Sequence, residues 1–323
     1  MSHSIRIVFM GTPDFAVASL KELINNNIKV VGIITAPDKP AGRGKKLKLS
    51  PVKEFALENN ISPILQPANL KSPEFLDELK ALNADLFVVV AFRMLPEIVW
   101  SMPRLGTINL HASLLPQYRG AAPINWAIIN GENKTGVTCF FIEKEIDTGN
   151  IISQVSIAIE QNENAGTLHD KLMIIGAETL VKTVQTIGNG FFEAIPQNKL
   201  SLKKDLKSAP KIFKEDCRIN WNQNVRNIYN FIRGLSPYPA AWTQLFNAET
   251  NQILDLKIFE ADYEEGSASA KTGSVFYSDK QIKVSCKNGN IIVKELQTAG
   301  KKRMPADAFL RGFNETKQYT RVL

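Results

Sequence analysis

The sequence predicts an α/β fold, an open, mostly parallel, Rossmann-like sheet followed by a second, smaller β-barrel domain. Three observations predict it. Strand and helix signals alternate over the first 190 residues, the pattern of a parallel sheet with helical crossovers. Residues 86–91 read LFVVVA without a polar interruption, the mark of a strand covered on both faces. Beyond Trp242 the signals turn to short strands, and at 323 residues the chain is about twice a typical domain.

The elements follow in order. Residues 5–10 are an apolar run ending at Gly11-Thr-Pro13, and Val17, Leu20 and Ile24 then recur at helical spacing. Residues 30–36 give a second strand. Residues 74–83 give a helix with Phe75, Leu76, Leu79 and Leu82 on one face. Short strands are expected at 107–109 and 137–142. Thr167 with Asp170 three residues later resembles a capping box. It opens a long helix with an apolar face of Leu168, Leu172, Ile175, Leu180, Val184 and Ile187, closed by Gly188-Asn-Gly190. Residues 191–210 are lysine-rich and aperiodic, a linker between a first domain at 1–190 and a second at 211–323. In the second domain residues 222–233 look helical through Val225, Ile228, Tyr229 and Ile232, with Gly234 as the stop. Strands at 283–286 and 291–295 flank Lys287-Asn-Gly-Asn290, a hairpin-turn signal, so the domain reads as an OB-like barrel.

Composition narrows the function. No stretch approaches the roughly 18–20 apolar residues of a membrane helix, and the N-terminus lacks the segments of a secretory signal. Cys139, Cys217 and Cys286 lie far apart with no Cys-x-x-Cys spacing, which argues against a disulfide scaffold or a zinc site and for a reducing, cytoplasmic setting. The net charge of +7 is unevenly placed: residues 1–190 hold 18 basic and 18 acidic residues, residues 191–323 hold 21 and 14. A basic C-terminal part points to an anionic partner, with nucleic acid first.

Ligands of open α/β sheets bind beyond the carboxyl ends of the strands. Gly11-Thr-Pro-Asp14 lies at such an end but lacks the Gly-x-Gly-x-x-Gly of a dinucleotide site, so Gly11 reads as serving a tight strand-to-helix turn. Asn109-Leu-His-Ala-Ser-Leu-Leu-Pro116 is more informative. In an extended segment Asn109 and His111 point the same way, and an amide with an imidazole suits a developing oxyanion. Glu145-Ile-Asp-Thr-Gly149 supplies a carboxylate; set against a histidine, a carboxylate fixes its tautomer and favours its protonated form. Spacing alone leaves open whether the three meet. His169, in the first turn of an amphipathic helix, reads as structural. Lys39-Pro-Ala-Gly-Arg-Gly-Lys-Lys-Leu-Lys48 holds five cations in ten residues and is no phosphate-cradling P-loop, because Gly-Lys-[Ser/Thr] is absent.

His111-Ala-Ser-Leu-Leu-Pro116, Tyr118-Arg-Gly-Ala-Ala-Pro-Ile-Asn-Trp126, Thr135-Gly-Val-Thr138 and Asp147-Thr-Gly149 together resemble the 10-formyltetrahydrofolate-dependent formyltransferase family. Gly11-Thr-Pro-Asp-Phe15, Pro40-Ala-Gly-Arg-Gly-Lys-Lys46, Ser50-Pro-Val-Lys53 and Lys214-Glu-Asp-Cys-Arg-Ile-Asn-Trp221 narrow the resemblance to the branch acting on methionine esterified to initiator tRNA. The similarity runs over nearly the whole chain. It implies the formyltransferase fold, and it implies Asn109, His111 and Asp147 as the catalytic trio, with 10-formyltetrahydrofolate as formyl donor and no metal. It also implies folate contacts from Ser113, Leu114, Leu115 and Pro116, with backbone groups for the pterin and leucine side chains for its faces. One departure is Ala91-Phe-Arg-Met-Leu-Pro96, where many relatives carry Tyr-Gly after the alanine and one residue more; Phe92 and Arg93 are the candidates for the pterin wall there. For methionyl initiator tRNA the resemblance implies Arg43, Lys45 and Lys46 in the 39–48 loop, and the basic second domain adds Lys301, Lys302 and Arg303, with Lys203 and Lys204. No membrane and no obligate protein partner is implied, and a monomer is expected. Two other readings stand beside this one: a formyltransferase of a small amine such as an amino sugar nucleotide or a purine precursor, and an RNA-binding protein on a disused catalytic scaffold.

Overall fold

In the computed structural model, which describes residues 5–41, 46–190, 192–200, 205–266, 270–278, 280–312 and 319–323 with the side chains of 40, 41 and 46 left out, the N-terminal apolar run becomes β1 (Arg6–Gly11). It is followed by α1 (Asp14–Asn25), β2 (Lys29–Ile34), a short antiparallel hairpin of β3 (Lys39–Ala41) and β4 (Lys46–Lys48), α2 (Pro51–Glu58) and β5 (Ile64–Leu65). Then come α3 (Pro73–Ala81), β6 (Leu86–Val90), α4 (Glu97–Trp100), β7 (Thr107–His111), the two-residue β8 (Arg119–Gly120) and α5 (Pro123–Ile129). β9 (Lys134–Phe141), β10 (Ile151–Ala158) and α6 (Ala165–Gly188) follow. Among the described residues seven strands form one sheet in the order β10-β9-β7-β6-β1-β2-β5. β5, β2, β1, β6 and β7 are mutually parallel, and β9 runs antiparallel to β7. The order reverses at β1, whose neighbours β2 and β6 lead in opposite directions, so the carboxyl ends of β1, β6 and β7 flank the crevice where such sheets bind ligands.

The open, mostly parallel sheet is the one the sequence predicts, with adjustments that have physical reasons. β6 is buried along its whole length, as LFVVV requires. α1 buries Phe15, Ala16, Ser19, Leu20 and Leu23 and leaves Val17 and Ile24 half-buried, so its inner face is turned from the expected one. Gly11 is needed for space: a Cβ there would stand 2.6 Å from Cβ of Ala16 and 3.0 Å from the Val90 carbonyl. The cap of α6 lies three residues upstream of the expected Thr167–Asp170 pair. Asn164 Oδ1 accepts the Thr167 N–H at 3.0 Å and Thr167 Oγ1 accepts the Asn164 N–H at 3.2 Å, so the reciprocal box is Asn164–Thr167. At the other end Gly190 takes the left-handed conformation (φ 75°) that the Gly-Asn-Gly closure implies. α6 lies over the Leu110 side of β7, since Gly176 is close enough that a Cβ would meet Leu110 at 3.0 Å.

The chain divides into two compact units. The first is Met1–Gly120, Thr135–Ile157 and His169–Ser208; the second is Ala121–Lys134, Ala158–Leu168 and Ala209–Leu323. Most of the stretch expected as a linker therefore groups with the first unit. β11 (Ser208–Ala209) lies at the boundary, and the second unit continues with α7 (Val225–Leu235), β12 (Ala241–Asn247), β13 (Ile253–Glu265), β14 (Val275–Tyr277), β15 (Ile282–Cys286), β16 (Gly289–Thr298), β17 (Met304–Pro305), α8 (Ala306–Gly312) and β18 (Tyr319–Val322). The strands run β14-β15-β16-β13-β12-β18, and an antiparallel bridge between Ser274 and Arg321 joins the two ends into a barrel. Val225, Ile228, Tyr229, Ile232 and Leu235 of α7 fill the barrel core with Leu256, Ile258, Ile291 and Val293. Gly234 does not stop α7. It lies inside the last turn, where Ile129 of α5 packs so closely that a Cβ would stand 2.6 Å from it. The hairpin turn is tighter than expected: Cys286 pairs with Gly289 across Lys287 and Asn288, and Asn288 Oδ1 caps α7 by accepting the Val225 N–H at 2.8 Å.

Candidate active site

Alternation along β7 places the chemistry. Ile108 and Leu110 are buried on the α6 side, so Asn109 and His111, two residues apart, share the other face about 7 Å from each other along the strand. β7 is held on both sides, with Asn109 opposite Val89 of β6 and Phe140 of β9, and His111 opposite Thr138. Asn109 is half-buried, and among the described residues its carboxamide has no hydrogen-bond partner.

His111 is 7 % exposed, and its Nε2 lies 2.8 Å from the Tyr118 carbonyl oxygen. A carbonyl only accepts, so Nε2 carries a proton and Nδ1 is the nitrogen left for exchange. Asp147 Oδ2 lies 3.8 Å from Nδ1, ion-pair rather than hydrogen-bond distance, and accepts the Gly120 N–H at 2.9 Å. The three predicted residues thus come together from two chain segments.

The turn carrying Asp147 is built from outside itself. Asp147 is left-handed (φ 55°), a conformation that aspartate adopts more readily than most residues with a Cβ. Gln197 Nε2 donates to the Asp147 carbonyl at 2.9 Å and to the Gly149 carbonyl at 2.8 Å. Arg119 Nε and Nη2 both donate to Gln197 Oε1, at 3.1 and 2.6 Å. Gly149 must lack a side chain, because a Cβ would sit 1.8 Å from the Phe141 carbonyl. Gln197 escapes a reading of the sequence, since it lies in an aperiodic stretch among exposed residues. Arg119 belongs to the Tyr118–Trp126 motif, but nothing in its spacing assigns it this partner.

The 113–116 loop is held internally. Ser113 Oγ donates to the Gln117 carbonyl at 2.6 Å, and Thr138 Oγ1 donates to the Ser113 carbonyl at 2.6 Å while accepting the Leu115 N–H at 3.2 Å. Gln154 Nε2 donates to the Leu115 carbonyl at 2.8 Å, and the Leu114 carbonyl accepts the Gln117 N–H. Leu115 packs with Phe140 and Ile151, and Pro116 is buried; Leu114 alone of the four is half-exposed. Four of the loop's backbone groups are thus paired, while the Ser113 and Leu114 N–H groups and the Pro116 carbonyl have no partner among the described residues. Thr135-Gly-Val-Thr138 acquires a reason too: Thr138 ties the loop, and a Cβ on Gly136 would stand 2.0 Å from the Val155 carbonyl.

Phe92 and Arg93 follow β6, the neighbour of β7. Phe92 packs partly into the core of Val8, Phe87 and Val89. Exposed Arg93 donates to the carbonyls of Pro67 and Ala68, and its guanidinium lies 5.8 Å from the Phe92 ring centre. Arg43, Lys45, Lys203 and Lys204 lie outside the described residues, and Lys46 is described only by its backbone in β4. The stem of that hairpin is anchored at its base. Lys53 Nζ lies 2.6 Å from both Asp38 Oδ2 and Gln66 Oε1, and the bonds from Lys53 and Gln66 hold the Asp38 carboxyl below the usual carboxylate range. Lys301 and Lys302 are exposed, while Arg303 pairs with Glu295 and stacks 4.5 Å from the centre of the Phe259 ring. His169 bonds Asp170 and packs edge-on to Phe15, a structural setting. Among the described residues no group of three His, Cys, Asp or Glu is placed to hold a metal, and no helix is long and apolar enough to cross a membrane. Burial pushes the Cys139 thiol, next to Thr138, up to about 11, so it is no nucleophile near neutral pH.

Residues 5–184 match the model of the formyl transferase family, and residues 211–314 match that of the formyl transferase C-terminal domain. The chain is 52 % identical over 318 residues to a Bacteroides fragilis protein named methionyl-tRNA formyltransferase, covering 98 % of each. It is 55 % identical over 320 residues to one of the same name from Flavobacterium johnsoniae, covering 98 % of this chain and all of the other. Its fold is similar to that of WlaRD, a sugar 3N-formyl transferase crystallised in the presence of dTDP and 5-N-formyl-THF, with a TM-score of 0.62 at 24 % identity over 93 % of this chain and 100 % of that one.

Proposed function

The chain belongs to the formyl transferase family, and from that premise we propose that it moves the formyl group of 10-formyltetrahydrofolate onto the α-amino group of methionine esterified to initiator tRNA. The product, N-formylmethionyl-tRNA, starts translation. One observation carries the reading: an unpartnered carboxamide, Asn109, shares a strand face with the buried His111–Asp147 pair, in a chain more than half identical to full-length relatives of that name.

The chemistry follows from the residues. An α-amino group titrates near ~8, so a useful fraction is already neutral at pH 7. Its nitrogen attacks the formyl carbon, and the carbonyl oxygen gathers negative charge. Asn109 Nδ2–H donates to that oxygen. His111, its Nε2 held by Tyr118, takes the amine proton at Nδ1 and returns it to the folate nitrogen as the old C–N bond breaks. Asp147 neutralises the imidazolium between those two steps. Among the described residues the backbone groups of 92–95 have no partners, and together with the Phe92 ring and the half-exposed Leu114 side chain they form the pterin wall. Ser113, Leu115 and Pro116 shape that wall from behind.

The tRNA is met by cations. Arg43, with Lys45 and Lys46, reaches the acceptor end from a hairpin whose base is fixed by Asp38, Lys53 and Gln66. In the second unit Lys301 and Lys302 add phosphate contacts, and a groove of about 960 Å³ presents Lys211, Lys214, Lys257, Tyr238 and Trp242. The enzyme works in the cytoplasm as a monomer.

Purified protein given 10-formyltetrahydrofolate is expected to formylate methionyl initiator tRNA and to leave free amines of similar basicity, amino sugar nucleotides included, unreacted. Comparable kcat/KM for a small amine overturns the acceptor; no transfer to any amine leaves the RNA-binding reading. Arg43→Ala is expected to lower kcat/KM for the charged tRNA about tenfold or more, the value of one or two charge-assisted hydrogen bonds. Folate affinity, measured by equilibrium titration, should be unchanged; an equal loss there makes the hairpin a structural part of the folate site.

A further inference from the structure

Gln197 is 4 % exposed, whereas its neighbours Ile195, Asn198 and Lys199 are exposed. Glutamine is seldom so deeply covered. All four hydrogen-bonding positions of its amide are filled, two N–H bonds going to the Asp147 and Gly149 carbonyls and two arriving from Arg119. The chemistry fixes which end is which. Guanidinium only donates and so must face Oε1, and carbonyls only accept and so must face Nε2.

The residues flanking Arg119 serve the same site. Tyr118 gives its carbonyl to His111, and Gly120 gives its N–H to Asp147. Tyr118 is itself left-handed (φ 61°), as Asp147 is. One buried amide therefore joins two segments that each carry a left-handed residue, of which Tyr118 is the strained one. Strain of this kind persists only where surrounding bonds over-determine it.

We propose that Gln197, locked by Arg119, is a positioning residue for formyl transfer: it sets the conformation of the 147–149 turn and so holds the Asp147 carboxylate against His111. This rests on the formyl-transfer reading above. It makes the stretch around 197 a working part of the site, and it predicts that the residue's effect passes entirely through Asp147. Glutamate cannot replace it, because a carboxylate would oppose two carbonyl oxygens.

The test is a double-mutant cycle on full-length protein. Gln197→Met, nearly isosteric, is expected to lower kcat about 10- to 100-fold, the cost of a misplaced catalytic group, with KM for tRNA and folate within about twofold. In an Asp147→Asn background the same change should alter kcat by less than about twofold, which a merely structural lesion would not do. Unchanged kcat for Gln197→Met, or the same loss in both backgrounds, overturns the proposal while a slow Asp147→Asn leaves the catalytic trio standing. Wild-type turnover in Asp147→Asn overturns the trio and this proposal together. Should Gln197→Met not fold, Arg119→Lys carries the same cycle, with a smaller loss that must likewise vanish beside Asp147→Asn.

Discussion

Asn109→Ala is expected to lower the turnover of formyl transfer about 10²- to 10³-fold, the usual cost of one oxyanion donor. The carboxamide has no partner among the described residues, so its removal breaks no existing bond. It is half-buried on a strand fixed by β6 and β9, so the fold should register little. The loss belongs in kcat, because charge on the formyl oxygen grows only as the amine attacks. Single-turnover rates at saturating folate and tRNA, with binding titrations of each substrate, separate the two quantities. A binding defect of the same size with unchanged turnover would make Asn109 a substrate-recognition residue.

Asp147→Asn is expected to cost about 10²- to 10⁴-fold, the range for a general acid–base group. Asparagine isolates the charge. Its amide oxygen can still accept the Gly120 N–H and its backbone can keep both bonds to Gln197, so the turn remains as built. What disappears is the negative charge 3.8 Å from His111 Nδ1, and with it the neutralisation of the imidazolium. The melting temperature should be close to that of the parent while the single-turnover rate collapses. A rate within threefold of the parent would remove Asp147 from the chemistry.

Much of the architecture is legible in the sequence because it rests on local rules. The unbroken apolar run predicts a doubly covered strand, which forms over Leu86–Val90, and two-residue alternation puts Asn109 on the same face as His111. Most of the failures are cases where a partner distant in sequence decides. The α6 cap is the exception, a local one: Asn164 and Thr167 form the box three residues upstream of the expected pair. Gly234 looked like a stop but is a point of contact, its missing side chain taken up by Ile129. In the 113–116 loop Thr138 and Gln154, distant in sequence, take up the Leu115 N–H and the Ser113 and Leu115 carbonyls, which no local pattern announces. Gln197 had no local signal at all, since burial and hydrogen-bond saturation are properties of where a residue ends up.

Tyr118, Arg119 and Gly120 answer to three different partners in consecutive positions, and this leaves no slack in the chain there. Inserting or deleting a single residue would shift the imidazole's anchor, the glutamine's lock and the carboxylate's tether out of register in one stroke. Any attempt to retarget such an enzyme to a new acceptor must therefore keep the length of this segment as it is.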